Sequence, residues 1–404
     1  MDSVFIPAVT RAAWQHRYER ELQPSADEEP RLTQSAGCRF PEATTVLEQA
    51  VREHVFPGCA FAVLAAGDAH PSVENARSVG QFTYEPDASR VEPGTIFDLA
   101  SLTKVLATTT AIMLLYDRRQ LALDAPLAEW LPAFAAADRS DSRRSRVTLR
   151  MLLDHSSGLP GYVRLFESVS DRLAMIEACL RQPLMADPGT RAEYSDIGFI
   201  ILGYLVETIT GERLDPYCQR EIFAPLGMST THFCPEEPLR ASIPPTEDDR
   251  SFRHRVIQGK VHDENASVMG GVAGHAGLFS NALDPLRLAA CMLANGVTLS
   301  GSRLFSAQTV AQFAERAQQP SSTSRALGWD TPSVPSSSGN FFSRRSIGHL
   351  GFTGTSLWVD LDAGIAVTLL TNRTWPDRAN QAIRELRPRF HDAIRRELAA
   401  DHKK

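Results

Sequence analysis

Strand-like segments lie near both ends of this chain, and helical patterns fill the long stretch between them. The strand-like segments are CAFAVLAAG (59–67), SVGQFTYEP (78–86), GFTGTSLWVD (351–360) and IAVTLLTN (365–372). Apolar or alternating runs bounded by Gly, Pro and Asp predict strands, and the last two, which flank the turn LDAG, predict a hairpin. The residues from 120 to 335 are predicted to be mostly helical and broken by loops that contain Pro and Gly.

This order of elements predicts an α+β fold with one antiparallel sheet built from both chain ends, flanked by helices, and a mostly α-helical inserted subdomain. Helices are predicted for EATTVLEQAVREHV (42–55) and for a closing segment with Phe390, Ile394 and Leu398 on one face. A sheet made from both ends would place Ser101 beside the C-terminal hairpin. The predicted organisation is an N-terminal extension (1–39) and one domain (40–400), with its α/β part at about 40–115 and 340–400 and its helical part at about 116–339.

Charge and composition exclude several classes of function. The chain has 404 residues, 43% of them hydrophobic, and a formal net charge of −6 with no basic cluster, so we expect no nucleic-acid partner. No apolar stretch reaches the ~18 residues of a membrane helix, so we expect no membrane partner. The N-terminus lacks the apolar core of a signal peptide, and six scattered cysteines without a CxxC pair indicate buried thiols in a reducing compartment. We expect a cytoplasmic location, or a periplasmic one if the true start lies upstream.

The segment FDLASLTK (97–104) carries a serine and a lysine three positions apart at a predicted helix start. Residues i and i+3 share a helix face, so Ser101 and Lys104 would be neighbours. A serine hydroxyl is a weak nucleophile until a base takes its proton, and a lysine in a poorly hydrated pocket can accept or relay that proton. The alternative is structural: a helix-capping serine followed by a lysine whose head reaches solvent.

Two further segments favour the catalytic interpretation. EYSDIGFIILGYLVETITG contains Tyr194-Ser195-Asp196 just before an amphipathic helix, and GHLGFTGTSLWVD contains His349-Leu350-Gly351 on the predicted strand. In order and spacing, these segments resemble the Ser-x-x-Lys, Tyr-x-Asn and Lys-Thr-Gly signatures of the serine β-lactamase and penicillin-binding-protein superfamily. The resemblance covers about residues 40–400 and is strongest to the class C-like, esterase-like branch, which has a tyrosine in the second signature.

The resemblance implies a role for each matching residue. Ser101 is the acylated nucleophile, and Lys104 is its partner. Tyr194 is the proton shuttle, a phenol whose proton loss the nearby ammonium would ease. His349 stands where the family often has lysine, and its imidazole would hydrogen-bond near the nucleophile or contact substrate.

Three other positions are implied to contact the substrate. Gly351 would let the substrate backbone approach the strand, and the N–H groups of Ser101 and Phe352 would form an oxyanion hole. Asp196 replaces the usual asparagine; it either orients Lys104 or caps the following helix. Together with histidine in place of lysine at position 349, this change puts efficient β-lactam hydrolysis in doubt.

The sequence therefore predicts a serine hydrolase that cleaves ester or amide bonds, with a small ester, amide or muropeptide-like substrate. The alternatives are a β-lactamase or D-alanyl-D-alanine carboxypeptidase, and a non-catalytic binding protein on the same fold. No cofactor and no metal are expected, and VHDENA (261–266) is interpreted as a loop near the site and not as a metal site. His275 is interpreted as a loop histidine and not as a base. Arg344, Arg345 or Arg373 would supply positive charge for a substrate carboxylate if they reached the cleft.

Overall fold

The computed structural model describes residues 39–321 and 323–401, so the predicted N-terminal extension (1–39) lies outside the described residues apart from Arg39. Five strands form the main sheet, in the order β2-β1-β10-β9-β8, with every neighbouring pair antiparallel. The predicted α+β fold with a sheet made from both chain ends is confirmed. In chain order the strands are β1 (Gly58–Leu64), β2 (Ala76–Gly80), β3 (Phe97–Asp98), β4 (His232–Phe233), β5 (Glu247–Asp249), β6 (Arg255–Ile257), β7 (Leu278–Ser280), β8 (Ile347–Leu350), β9 (Ser356–Asp360) and β10 (Ile365–Thr371).

Helices cover both faces of this sheet and fill the middle of the chain. The α-helices are Pro41–Arg52, Thr110–Asp117, Leu127–Trp130, Pro132–Ala136, Leu149–Leu153, Arg172–Leu180, Asp196–Thr210, Leu214–Cys218, Ala224–Leu226, Glu237–Arg240, Glu264–Val268, Asp284–Leu293, Ala307–Ala314 and Ile383–Asp401. Helical turns of other types are Val73–Asn75, Lys104–Thr109, Ser142–Arg146, Leu165–Glu167 and Gln219–Phe223. Lys104–Thr109 is π-helical and continues into Thr110–Asp117, so the predicted helix after Ser101 is present.

The strands β1 and β10 lie inside the sheet and are buried along their whole length, because helices pack on both faces of the sheet. Successive side chains of a strand point to opposite faces. Phe61 accordingly packs in the cluster that contains Phe390 and Ile394 of the closing helix, with the two phenyl rings 5.2 Å apart. Ala60 and Ala62 face the helical middle of the chain. The core therefore has two parts, one on each side of the sheet.

Three predicted elements differ from the structure. The predicted strand 78–86 ends at Gly80, whose left-handed φ of 82° turns the chain away. The middle of the chain, predicted to be mostly helical, also contains β4 to β7 in two small sheets. GHLGFTGTSLWVD is not one strand: β8 ends at Leu350, and Gly351 begins a turn that leads into β9. That turn needs Gly354, which has a φ of 101°.

The hairpin of β9 and β10 is confirmed, with Ile365 opposite Asp360 across the turn LDAG. None of the described helices is long and apolar enough to cross a membrane. Five cysteines are described, all as free thiols, and four of them are buried. Cys234 is exposed, which corrects the prediction that all the thiols are buried.

Candidate active site

Ser101 lies at the start of a helix, where a tight backbone turn follows β3. The residue before it has a left-handed φ of 47°, which is uncommon outside glycine. Hydroxyl groups of the β8–β9 turn hold this segment: Thr353 donates to the carbonyl oxygen of Asp98 at 2.8 Å, and Thr355 donates to that of Leu99 at 3.0 Å. These bonds place Ser101 beside the C-terminal hairpin, as the sequence predicted.

Lys104 is fully buried, and its ammonium contacts three oxygens. Nζ is 2.9 Å from the hydroxyl oxygen of Ser101 and 3.1 Å from the carbonyl oxygen of His275. It is also 2.6 Å from a carboxylate oxygen of Asp196. Burial lowers the pKa of Lys104, but the charge of Asp196 and the interactions with Tyr194 outweigh burial and leave the pKa above its ordinary value. Lys104 is therefore held as an ammonium that donates to the serine hydroxyl.

Asp196 pairs with Lys104 and does not cap the helix that follows. The cap is Ser195, whose hydroxyl accepts a hydrogen bond from the N–H of Gly198 at 3.0 Å. Asp196 is the first residue of the helix, and its N–H donates to the carbonyl oxygen of Gly161 at 2.8 Å. Of the two roles left open by the sequence, the structure favours contact with Lys104.

Tyr194 lies over the same ammonium, with its ring centroid 4.9 Å from Nζ of Lys104. Burial raises the pKa of the Tyr194 phenol, and the interactions with Lys104 and Ser101 lower it only in part. The ring packs against His155, 4.8 Å away between centroids. The sequence predicted that the ammonium would ease proton loss from the phenol; this effect is present, but burial outweighs it.

His349 is buried on β8, and its ring centroid is 5.8 Å from that of Tyr194. Its Nδ1 donates to the carbonyl oxygen of Leu350 at 2.8 Å. Burial, and then the charges of Lys104 and Arg325, hold the pKa of His349 well below its ordinary value, so the imidazole is neutral at pH 7. Its Nε2 is consequently an acceptor, and it has no hydrogen-bond partner within the described part of the chain.

Gly351 and Phe352 follow β8 in the turn that touches Ser101. A side chain at Gly351 would lie 1.9 Å from the hydroxyl oxygen of Thr355 and 2.5 Å from the carbonyl oxygen of Leu99. The contacts of the turn with the serine segment thus require glycine here, a reason the sequence did not reveal. In residues 39–321 and 323–401, the N–H groups of Ser101 and Phe352 have no hydrogen-bond partner. Both residues line the same cavity and are free to donate to a ligand there.

The cavity has a volume of about 600 Å³ and brings the sequence-predicted residues together. Six of the seven line its wall, and Lys104 is buried directly beneath Ser101. Five arginines also line it: Arg325, Arg373, Arg378, Arg384 and Arg387. Arg344 and Arg345 lie elsewhere, on a separate depression with Leu361. The described residues contain no group of three or more His, Cys, Asp or Glu side chains arranged to hold a metal ion.

Comparison with known proteins identifies the family. The sequence matches the Beta-lactamase family over residues 43–388. The chain belongs to this family. A relative from Escherichia coli strain K12, provisionally named a D-alanyl-D-alanine carboxypeptidase, is 34% identical over 308 residues, which span 69% of each chain. The chain is therefore a serine hydrolase of the Beta-lactamase family, which confirms the predicted resemblance and the predicted class of enzyme.

Solved structures share the fold. A class C beta-lactamase from Rhodobacter sphaeroides superposes with a TM-score of 0.66 at 22% identity and covers 90% of this chain and 99% of its own. EstCE1, a hydrolase with promiscuous acyltransferase activity, has a TM-score of 0.68 at 20% identity and covers 88% of this chain and 98% of its own. At these identities the likeness extends to the fold alone.

His275 supports the site of this Beta-lactamase-family hydrolase, a role that the sequence did not predict. His275 supplies the carbonyl group that binds Lys104, and its Nε2 is 2.8 Å from Asp263. The glycines of GGVAGHAG could have indicated that this loop packs closely on a neighbouring element, because a side chain at Gly274 would lie 2.0 Å from the carbonyl oxygen of Phe199. The loop therefore packs directly on the helix that carries Asp196.

His155 and four of the five cavity arginines were also missed; the fifth, Arg373, is one of the three arginines that the sequence offered for a substrate carboxylate. The Nδ1 of His155 accepts a hydrogen bond from the N–H of Ser195 at 3.0 Å, and its ring supports Tyr194. The sequence segment LLDHSSGLPGY contains this histidine but gives no indication of its contact with Tyr194. The arginines come from distant parts of the chain, and no local pattern marks them as neighbours of Ser101.

Proposed function

We propose that this hydrolase cleaves ester or small amide bonds through an acyl-Ser101 intermediate, with Lys104, Tyr194 and Asp196 as its proton-transfer group. One observation carries the proposal: Nζ of the buried Lys104 is 2.9 Å from the hydroxyl oxygen of Ser101 and 2.6 Å from Asp196. A nucleophile within hydrogen-bond reach of a group that is itself oriented by a third residue is the arrangement that acyl transfer needs.

Proton transfer in this arrangement involves the ion pair as a unit. Asp196 takes a proton from the Lys104 ammonium, which leaves a neutral acid and a neutral amine. As the oxygen of Ser101 attacks the substrate carbonyl carbon, the amine receives the serine proton, and Tyr194 passes it to the leaving group. The C–O or C–N bond of the substrate then breaks, and the pair returns to its charged form. Water repeats these steps to release the acid and free Ser101.

The developing oxyanion receives two backbone donors in this proposal, the N–H groups of Ser101 and Phe352. Each such donor is worth roughly 3–4 kcal/mol of transition-state stabilisation. His349 is neutral, so it offers the substrate a hydrogen-bond acceptor at Nε2 and no charge. Phe352 and Tyr162 expose almost half of their surface at the cavity, 45% and 46% respectively, and would contact an apolar acyl or leaving group.

A second candidate function is D-alanyl-D-alanine carboxypeptidase action on a small peptide, as the name of the Escherichia coli relative suggests. The specific observation that favours it is an arginine without a counter-ion at the cavity wall. Arg384 is exposed at this wall and has no ion-pair partner in the described part of the chain. A substrate carboxylate would gain from Arg384 the electrostatic attraction that a neutral His349 does not provide. Arg384→Gln should then reduce kcat/KM for a D-alanyl-D-alanine peptide and leave that for p-nitrophenyl butyrate unchanged.

The proposed function is tested by replacing the nucleophile. Ser101→Ala should lower the turnover of p-nitrophenyl butyrate by on the order of 10³-fold or more, because the acyl-enzyme can no longer form. Ser140→Ala, an exposed serine on a distant loop, is the matched control and should retain full activity. Activity of Ser101→Ala within about tenfold of the unaltered protein would refute the proposal.

A further inference from the structure

We infer that Arg387 strengthens the oxyanion hole by polarising the peptide group that joins Gly351 to Phe352. The inference rests on the proposed function, since it assigns Arg387 a task at the acyl-Ser101 site. It makes Arg387 a positioning residue, one that acts on the substrate through the backbone and not by contact with the reacting atoms.

The geometry couples Arg387 to a single peptide group. One nitrogen of its guanidinium donates to the carbonyl oxygen of Gly351 at 2.7 Å and to that of Thr355 at 2.8 Å. The carbonyl of Gly351 and the N–H of Phe352 belong to the same peptide group, which is planar and conjugated. A cation bound to the oxygen draws electron density from the nitrogen and makes the N–H a stronger donor. That N–H is the second oxyanion donor of the proposed mechanism.

The charge of Arg387 is not neutralised by a neighbour. Within residues 39–321 and 323–401, Arg387 forms no ion pair, and its Nε has no hydrogen-bond partner. Burial lowers the pKa of Arg387 to about 9, and Arg373 and Arg384 add to the decrease, so the guanidinium remains charged at pH 7. A buried cation without a counter-ion destabilises a fold. Stabilisation of negative charge in the adjacent cavity gives a functional reason for keeping a cation here despite its cost in folding stability.

Arg373 binds the same turn and offers a matched comparison. Its Nε donates at 2.7 Å to the carbonyl oxygen of Phe352, and the side chain is buried like that of Arg387. That carbonyl belongs to the following peptide group, which joins Phe352 to Thr353 and does not contain the proposed oxyanion donor. Both arginines hold the turn, but only Arg387 is hydrogen-bonded to the peptide group that contains the N–H of Phe352. If both arginines had a purely structural role, replacing either one should affect the site in the same way.

The absorbance of a cinnamoyl acyl-enzyme distinguishes these roles. Ser101 attacks trans-cinnamoylimidazole; the Oγ–C bond forms, the C–N bond breaks, and imidazole leaves with the serine proton. The conjugated carbonyl absorbs at longer wavelength as it becomes more polarised. We expect Arg387→Gln to move the absorbance maximum to shorter wavelength, Arg387→Lys to move it less, and Arg373→Gln to leave it in place.

Kinetics should agree with the spectra. For p-nitrophenyl butyrate, Arg387→Gln should lower kcat by about tenfold, less than the 10²–10³-fold loss of a whole donor, and change KM by less than about twofold. An unshifted maximum in Arg387→Gln, or an equal shift in Arg373→Gln, would overturn the inference. If Arg387→Gln does not fold, Arg387→Lys is compared with Arg373→Lys. The absorbance maximum should then move to shorter wavelength in Arg387→Lys only, and no shift, or an equal shift in both variants, would overturn the inference. Failure of the unaltered protein to form cinnamoyl-Ser101 refutes the proposed function itself, and with it the inference.

Discussion

Replacing Asp196 by asparagine should destabilise the protein at pH 7 by about 3 kcal/mol, with a deficit that shrinks as the pH rises. The substitution keeps the shape of the side chain and removes the negative charge that lies 2.6 Å from the ammonium of Lys104. The Lys104 side chain is 0% exposed and that of Asp196 is 16% exposed, so solvent screens this pair little.

The size of this loss of stability follows from the distance between Lys104 and Asp196 and from the burial of the two side chains. At an effective dielectric constant of about 20, two unit charges 2.6 Å apart attract by roughly 6 kcal/mol. Part of this is offset by the cost of removing both groups from water, and loss of one partner of a buried pair typically costs about 3–5 kcal/mol. We expect the lower end, because the amide oxygen of asparagine can still accept a hydrogen bond from Lys104.

The pH dependence distinguishes this mechanism from a general packing defect. In the unaltered protein the pKa of Lys104 is raised, so its contribution to stability is complete below the ordinary value of about 10.4 and is lost only as the pH rises through the raised pKa. In Asp196→Asn, burial without a counter-ion should lower this pKa. Between the lowered pKa and about 10.4, the unfolded chain binds more protons than the folded one, and the free energy of unfolding therefore rises with pH.

Urea denaturation at several pH values from 7 to 10 measures both effects. Asp124→Asn is the matched control, because Asp124 forms an ion pair with Arg150 at 2.7 Å but its side chain is 75% exposed. The control should lose less than about 1 kcal/mol at every pH. A deficit of Asp196→Asn that stays constant from pH 7 to 10, or one no larger than that of the control, would refute the description of Lys104 as a buried, paired ammonium.

Three further predictions concern the same site. The losses of ester turnover in Lys104→Ala and Tyr194→Phe should be strongly non-additive, since the two side chains form one proton-transfer group; a double-variant loss equal to the product of the single losses would contradict this. At pH 7 and fixed salt, kcat/KM for p-nitrophenyl butyrate should exceed that for nitrocefin, because His349 is neutral; a nitrocefin advantage above about tenfold, roughly 1.4 kcal/mol in barrier, would reverse the expected preference. Gly351→Ala should cost about 1–3 kcal/mol in thermal or urea unfolding, whereas Gly94→Ala, which meets no atom within 4 Å, should cost far less.

The sequence was sufficient for the features that local patterns determine. Uninterrupted apolar runs identified β1 and β10 as buried strands, and the turn LDAG identified the hairpin of β9 and β10. The three-residue spacing of Ser101 and Lys104 predicted their contact, because helical geometry fixes it. Each of these features depends on interactions between residues that are near in sequence or on burial of a whole segment.

Features that depend on distant contacts were not predictable in the same way. The end of β8 at Leu350 is set by the turn at Gly351, whose packing on Leu99 connects residues about 250 positions apart. The role of Asp196 remained open because its partner and the competing cap at Ser195 become distinct only in three dimensions. The arginines of the cavity wall are marked by no motif. Arg384 and Arg387 reach the site on the closing helix, whereas the other three come from segments that precede it.

Peptide mapping by mass spectrometry after treatment with a fluorophosphonate tests whether Ser101 is the nucleophile. We predict one covalent adduct per chain, located on Ser101, and none on the other described serines. We also predict much slower labelling of Lys104→Ala, because the proton of Ser101 would lack the amine, 2.9 Å away, that accepts it once Asp196 has taken a proton from Lys104. An adduct on any other serine, or unlabelled Ser101 in an active preparation, would contradict the assignment of Ser101 as the nucleophile.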